Sequence, residues 1–138
     1  MEKNGKNRLR VFYMLLAYVF LLCLSVVLLK LKTEDKKIVF GSTFMTMNNP
    51  YFNVLNENLR DTIEANGDIL ITRDPAQSQE RQNEQIIDML DEGIDILFVN
   101  AVDKSGIEKA LYKCQSKGVP VILLDTDVDN RVGVISAI

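Results

Sequence analysis

The sequence of 138 residues contains no histidine and no tryptophan, and it has only two cysteines. Without histidine, neither an imidazole acid–base catalyst nor a histidine-ligated metal site is available. The glycine-rich loops that bind dinucleotides and nucleoside triphosphates are absent as well. We therefore expect a protein that is not an enzyme and that carries no cofactor.

The two cysteines, Cys23 and Cys114, lie in parts of the chain with different character. Cys23 falls inside an uncharged apolar run, whereas Cys114 falls in the charged remainder. A disulfide would have to join a membrane-depth position to one outside the membrane, so we predict none. Both are interpreted as small apolar packing residues.

A calcium loop is also excluded. The segment that begins at Asp125 places acidic residues at alternate positions, as a calcium loop does. However, Asn130 stands where the sharp turn needs glycine, and Ser136 stands where the bidentate glutamate belongs. We predict no metal site.

Charge is distributed unevenly along the chain. Six of the 16 basic residues but only one of the 19 acidic residues lie within residues 1–32. The remainder is therefore strongly acidic and has no basic patch. Because nucleic acid is recognised first through its phosphates, we expect no nucleic-acid partner.

Residues 11–29 form a run of 19 residues without a charge. As a helix this run would be about 29 Å long, which matches the hydrocarbon core of a bilayer. We predict a cytoplasmic basic leader at 1–10, a transmembrane signal anchor at 11–31 and a charged linker at 32–37. A cleaved signal peptide and a lipoprotein signal at Cys23 are the alternatives, but no small-residue cleavage site follows the run, and Leu21 and Leu22 precede the cysteine.

The remaining residues, 38–138, alternate between short apolar runs and amphipathic segments. This pattern predicts strands and helices in the order β-α-β-α-β-α-β-β. Continuously apolar strands separated by helices indicate a doubly wound parallel α/β sheet, in the strand order 2-1-3-4-5. The predicted strands are 38–40, 69–71, 94–99, 119–124 and 132–135, and the predicted helices are 50–65, 79–91 and 105–116.

Several residues predict where these helices begin and end. Asn49 and Pro50 are typical of an N-cap and a first helical position. Ser105 and Glu108 have the spacing of a capping box, in which a serine hydroxyl and a glutamate carboxylate bond each other's backbone. Gly118 is expected to end the third helix predicted within residues 38–138.

In an open parallel sheet, ligands bind beyond the carboxyl ends of the strands. Amide, carboxylate and aromatic side chains stand at those predicted ends: Asn49, Tyr51, Phe52, Asn100 and Asp125. Amides and carboxylates suit sugar hydroxyls, and flat rings suit the C–H faces of a sugar. The alternative is that the polar residues are ordinary turn and cap residues and that Phe52 belongs to the core.

From residue 38 to residue 130 the chain resembles the first lobe of bacterial periplasmic sugar-binding proteins of the ribose/galactose type, which have the type I periplasmic binding protein fold. The resemblance rests on three segments in this order: IVFGSTFMTMNNPYFNVLNENLRDTIEANG, EQIIDMLDEGIDILFVNAVD and GVPVILLDTDVD. It implies that Asn49, Tyr51, Phe52, Asn100 and Asp125 bind the sugar. Thr126 stands where the ribose binders have arginine, a departure that bears on ribose and not on sugar binding in general.

The resemblance also implies a cellular role. We expect a membrane-anchored, extracytoplasmic protein that binds a pentose or hexose as the substrate-binding component of an ABC-type sugar importer, next to a permease. The alternative is a sugar-sensing ectodomain that works with a membrane histidine kinase. The family has a second lobe that is not found in these 138 residues, so we expect a truncated protein. A repressor with this lobe is excluded, because residues 11–29 cannot form a helix-turn-helix.

Overall fold

The computed structural model describes residues 3–32 and 36–138. Residues 33–35 of the predicted linker at 32–37 and the first two residues of the predicted leader therefore lie outside the described residues. The chain divides into two compact units, Met1–Lys36 and Lys37–Ile138. The second unit, called the body below, contains every strand that the structure describes.

The first unit contains one long helix, α1, from Lys3 to Lys32. Its most apolar stretch, Arg10–Val27, has a mean hydropathy of 2.2 and is exposed throughout. This stretch is long and apolar enough to cross a membrane, as a membrane anchor or a signal sequence would be. Cys23 lies on it and is exposed.

The body has a five-stranded parallel sheet in the order β2-β1-β3-β4-β5. This confirms the predicted fold class and strand order. The strands are β1 (Val39–Thr43), β2 (Ile69–Arg73), β3 (Ile96–Val99), β4 (Val121–Leu123) and β5 (Val134–Ala137), and the helices are α2 (Pro50–Ala65), α3 (Gln79–Asp91) and α4 (Glu108–Lys117). Strand β5 lies two residues later than predicted, because Gly133 has a positive φ of 69° and belongs to the turn before it.

Two apolar clusters cover the two faces of the sheet. On β3, Leu97 and Val99 belong to a large cluster with α3 and α4, whereas Phe98 packs against a small cluster. This alternation follows from the two-residue period of a strand. The small cluster contains Phe44, Phe52 and Leu124 and lies beneath α2.

Cys114 is fully buried in the large cluster, as the packing interpretation predicts. Burial raises the pKa of its thiol to about 12, because a thiolate would lose its hydration there. Close packing on the same face also explains Gly41, since a Cβ atom at that position would lie 2.9 Å from Cδ1 of Ile94.

Three of the predicted cap residues of α2 and α4 are confirmed, and one predicted capping motif is wrong. Asn49 caps α2 by accepting a hydrogen bond from the Tyr51 amide, and Pro50 follows it. Gly118 ends α4 with a left-handed φ of 71°.

The capping box at Ser105 is wrong. Helix α4 begins at Glu108, and its N-cap residue, Ile107, makes no side-chain bond. The Ser105 hydroxyl instead donates to Oδ1 of Asp103, which also accepts from the Gly106 amide at 2.6 Å. These bonds lower the pKa of Asp103, because they favour its charged form. Oδ1 of Asp103 also accepts from the Ser105 amide at 3.1 Å, which is the group that the Glu108 carboxylate would bond in a capping box.

Candidate functional site

A cavity of about 320 Å³ lies at the carboxyl ends of the strands. Among the described residues that line it, Asp125 carries the only charged side chain, and the others are Tyr51, Leu55, Leu124 and Ile138. Tyr51 comes from the first turn of α2, and Asp125 follows β4. The topology therefore brings together two of the predicted site residues that are 74 positions apart in the chain.

Asp125 has an unusual backbone conformation. Its φ is 64°, in the left-handed region that few residues other than glycine adopt. The Thr126 amide donates to the Leu124 carbonyl at 2.7 Å, which closes a three-residue turn around Asp125. The Asp125 amide donates to the Ile138 carbonyl at 2.8 Å. The side chain of Asp125 is exposed.

Asn49 and Tyr51 lie together at the start of α2. Oδ1 of Asn49 accepts from the Tyr51 amide at 3.0 Å, which fixes the first turn of the helix. Tyr51 is 57% exposed, so most of its ring is free to meet a ligand. Asn49 is exposed as well, although the structure does not place it among the residues that line the cavity.

Phe52 lies behind this surface. It is only 3% exposed and stacks on Phe44, with the ring centroids 5.5 Å apart. The Tyr51 ring meets Phe52 edge-on at 5.3 Å. Phe52 therefore occupies the core stripe of its own helix and supports Tyr51 from below.

Asn100 is fully buried at the end of β3. Its Nδ2 donates to the Leu124 carbonyl at 3.0 Å and to Oγ1 of Thr126 at 2.8 Å. Its Oδ1 accepts from the Met45 amide at 3.2 Å. The side chain thus joins the loop after β1 to the loop after β4, and it has no surface in contact with solvent.

Two polar residues near the site are not among the predicted site residues. Gln82 on α3 is fully buried, and its Nε2 donates to the Asn100 carbonyl at 3.0 Å. Asp74 accepts hydrogen bonds from the amides of Met47 and Ala76, which ties the loop after β1 to the loop after β2. Gln82 stands in a polar helical segment and carries no local signal of burial. Asp74 was visible as a polar residue at a strand end.

Among residues 3–32 and 36–138, no group of three or more histidine, cysteine or carboxylate side chains is placed to hold a metal ion. The site is instead built from one carboxylate, an exposed phenol ring, exposed and buried amides, and apolar walls. Such an arrangement accepts hydrogen bonds from hydroxyl groups and packs against C–H surfaces.

The fold and the sequence both match known binding proteins. A family model that describes a periplasmic binding protein domain matches residues 40–137. The chain therefore belongs to the periplasmic binding protein family, and the resemblance noted from the sequence is confirmed. The family consists of solute-binding proteins.

Individual relatives give the same result. The ribose import binding protein RbsB of Bacillus subtilis (strain 168) is 28% identical over 96 residues, which cover 70% of this chain and 32% of that protein. An ABC transporter solute-binding protein from Mycobacterium smegmatis, solved with bound glycerol, is 26% identical with a TM-score of 0.69, over 73% of this chain and 34% of that one.

A third similarity concerns the fold alone. The fructose-binding periplasmic domain of a hybrid two-component system has a TM-score of 0.66 at 22% identity, over 73% of this chain and 33% of that one. The present chain thus spans about a third of the length of the relatives it matches.

Proposed function

We propose that the body binds a monosaccharide at the carboxyl ends of its strands. The observation that carries this proposal is the cavity that Tyr51 and Asp125 line together. Membership of the periplasmic binding protein family supports it, as does the similarity to a ribose import binding protein.

The proposed contacts follow from the chemistry of each side chain. The Asp125 carboxylate accepts hydrogen bonds from two adjacent sugar hydroxyls, which are stronger than bonds to a neutral acceptor. The Tyr51 ring packs against a C–H face of the sugar. The Asn49 amide offers Nδ2 donors, since its Oδ1 is held by the Tyr51 amide. Phe52 and Asn100 belong to the site and maintain its shape from the interior.

Sugar binding is tested most directly in a chimaera that joins the body to the part of the B. subtilis ribose import binding protein that this chain does not match. We expect calorimetry with a panel of pentoses and hexoses to find at least one ligand. A chimaera that folds but binds none of them contradicts the proposal.

The body by itself is expected to bind weakly. The resemblance implies a ligand enclosed between two lobes, and a single lobe leaves one face of the sugar in water, where each hydrogen bond has little net worth. We expect residues 33–138 to bind no sugar tighter than about 1 mM, or about −4 kcal/mol. We also expect this fragment to associate, because β5 is an edge strand and Ile135 is 66% exposed. NMR titration and sedimentation check both statements, and a monomer with a micromolar dissociation constant would refute the first.

We further propose that α1 anchors the body outside the cytoplasmic membrane, with residues 1–10 inside. The exposed apolar stretch Arg10–Val27 and the basic residues before it support this orientation. Protease added to intact spheroplasts is expected to digest the body. Protection of the body, or a mature protein whose first residue lies beyond residue 25, would contradict the anchor.

Import is the role we propose for this binding, with an ABC-type permease as partner. The named roles of the B. subtilis and M. smegmatis relatives support it. A sensory ectodomain beside a membrane histidine kinase is the second candidate, and it is favoured by an anchor that keeps the body at the membrane. Deletion of the gene is expected to abolish uptake of the radiolabelled sugar. Loss of sugar-induced transcription with normal uptake would favour sensing instead.

A further inference from the structure

The buried side-chain amide of Asn100 bonds both chain neighbours of Asp125, the cavity residue with the left-handed backbone. Nδ2 of Asn100 donates to the Leu124 carbonyl and to Oγ1 of Thr126, at 3.0 and 2.8 Å. These two residues flank Asp125 in the chain. The Asn100 amide therefore bonds the first and the third residue of the turn, and the Asp125 side chain remains exposed.

The turn needs such support because its conformation is costly. A residue other than glycine in the left-handed region, at the centre of a turn closed by an i to i+2 hydrogen bond, is held there at a cost of about 1–3 kcal/mol. Such a conformation persists only where the surrounding structure determines it. Among the described residues, Asn100 is the only one outside the turn whose side chain bonds to it, through Leu124 and Thr126.

Asn100 is itself held from behind. Nε2 of Gln82 donates to the Asn100 carbonyl, and Oε1 of Gln82 accepts from the Val102 amide at 3.0 Å. Gln82 also reaches Oγ1 of Thr43 at 3.3 Å. The fully buried side chains of Gln82 and Asn100 thus link α3 to the turn at Asp125 through successive hydrogen bonds.

We propose that Asn100 is a positioning residue that holds the turn at Asp125 in its left-handed conformation and makes no contact with the ligand. This proposal rests on the proposed function, because it takes the Asp125 carboxylate to be the group that binds the sugar. Asn100 is fully buried, both Nδ2 hydrogens have partners, and Oδ1 accepts from Met45. The Asn100 side chain has no exposed surface from which to bond a sugar, and this role differs from the contact role that the resemblance implies.

The test uses the full chain in detergent micelles, studied by NMR. Thr126→Val removes one acceptor of the Asn100 amide and keeps the shape of the side chain, whereas Thr126→Ser keeps the hydroxyl. Asn100→Asp removes both donated bonds. The matched control is Cys114→Ala, which creates a cavity in the large cluster on the other face of the sheet.

Two readouts separate the positioning role from the sugar-binding role. The first needs no ligand: a positive φ brings the amide hydrogen of Asp125 close to its own Hα, which gives a strong intraresidue NOE. The second is the dissociation constant of the chimaera described above for whichever of D-ribose, L-rhamnose, D-fructose and D-glucose it binds most tightly.

We expect Thr126→Val to weaken the Asp125 NOE and to raise the dissociation constant about tenfold, the equivalent of about 1.4 kcal/mol. Thr126→Ser is expected to retain both, and Cys114→Ala is expected to lower the melting temperature alone. An unchanged NOE in both Thr126→Val and Asn100→Asp overturns the positioning role, whether or not a sugar binds. If the NOE changes as expected while the folded chimaera binds none of these sugars, the positioning role stands and the proposed function fails.

Discussion

Replacing Asp125 by alanine is expected to weaken sugar binding by ~2–4 kcal/mol in the chimaera described above. The change removes charge-assisted hydrogen bonds from a cavity in which Asp125 is, among the described lining residues, the only charged one. Isothermal titration calorimetry measures the effect. The control is Asp127→Ala, which removes an exposed carboxylate two residues away that pairs with Arg131 at 2.7 Å and does not line the cavity.

The backbone conformation of Asp125 calls for a second variant. Alanine is strained at a φ of 64°, so part of the loss in Asp125→Ala would come from the altered turn. Asparagine tolerates the left-handed region and has nearly the same shape. We expect Asp125→Asn to lose about half as much binding free energy, because only the charge is removed. If Asp125→Ala folds and binds the sugar as tightly as the unsubstituted protein, the site is not at these strand ends.

Replacing Asn100 by alanine is expected to destabilise the body by about 3 kcal/mol. The substitution removes the acceptor of the Met45 amide and one of the two donors to the Leu124 carbonyl, and it opens a small cavity where the fully buried side chain was. Urea denaturation followed by circular dichroism measures the loss. The effect on sugar binding is expected to be smaller than that of Asp125→Ala, since Asn100 acts on the sugar only through the turn at Asp125.

The matched control for stability is Asn58→Ala. Asn58 is exposed on α2 and donates one hydrogen bond to the Val54 carbonyl within the same helix. Its removal is expected to change the free energy of unfolding by less than about 0.5 kcal/mol. Equal losses for the two substitutions would show that the buried amide network contributes nothing beyond an ordinary surface bond.

The roles of the site residues are divided in a way that side-chain chemistry does not reveal. Asn49, Asn100 and Asp125 all appear in the sequence as polar residues at predicted strand or helix ends. In the structure Asn49 caps a helix at the surface, Asn100 is fully buried, and Asp125 is exposed in a strained turn. Burial depends on which segments fold over a residue, and those segments lie up to 55 positions away.

Phe52 shows the same limit. Its spacing along α2 matches both a core position and a ring next to the aromatic Tyr51. The stacking on Phe44 at 5.5 Å is what places it in the interior. That contact joins the end of β1 to the first turn of α2, and its geometry depends on how deeply the helix lies against the sheet.

Local sequence by itself determined the architecture of the body. Four short apolar runs precede a fifth, and helices lie between the first four. This pattern indicates a covered parallel sheet, and right-handed connections leave few strand orders, of which 2-1-3-4-5 is the one observed. The start of α2 at Asn49 and the end of α4 at Gly118 were equally readable, because caps depend on the residue present and its immediate neighbours.

Tertiary structure alone decided how the candidate site is built. The bonds from Gln82 to Asn100 and from Asn100 to Leu124 and Thr126 join residues from different elements. Two of these bonds flank the left-handed turn at Asp125. The loss of the capping box at Ser105 is a competition between two nearby acceptors, which composition does not resolve. Periodicity and capping are short-range and repeat along the chain, whereas a hydrogen-bond network across strand ends depends on the final position of every loop that contributes to it.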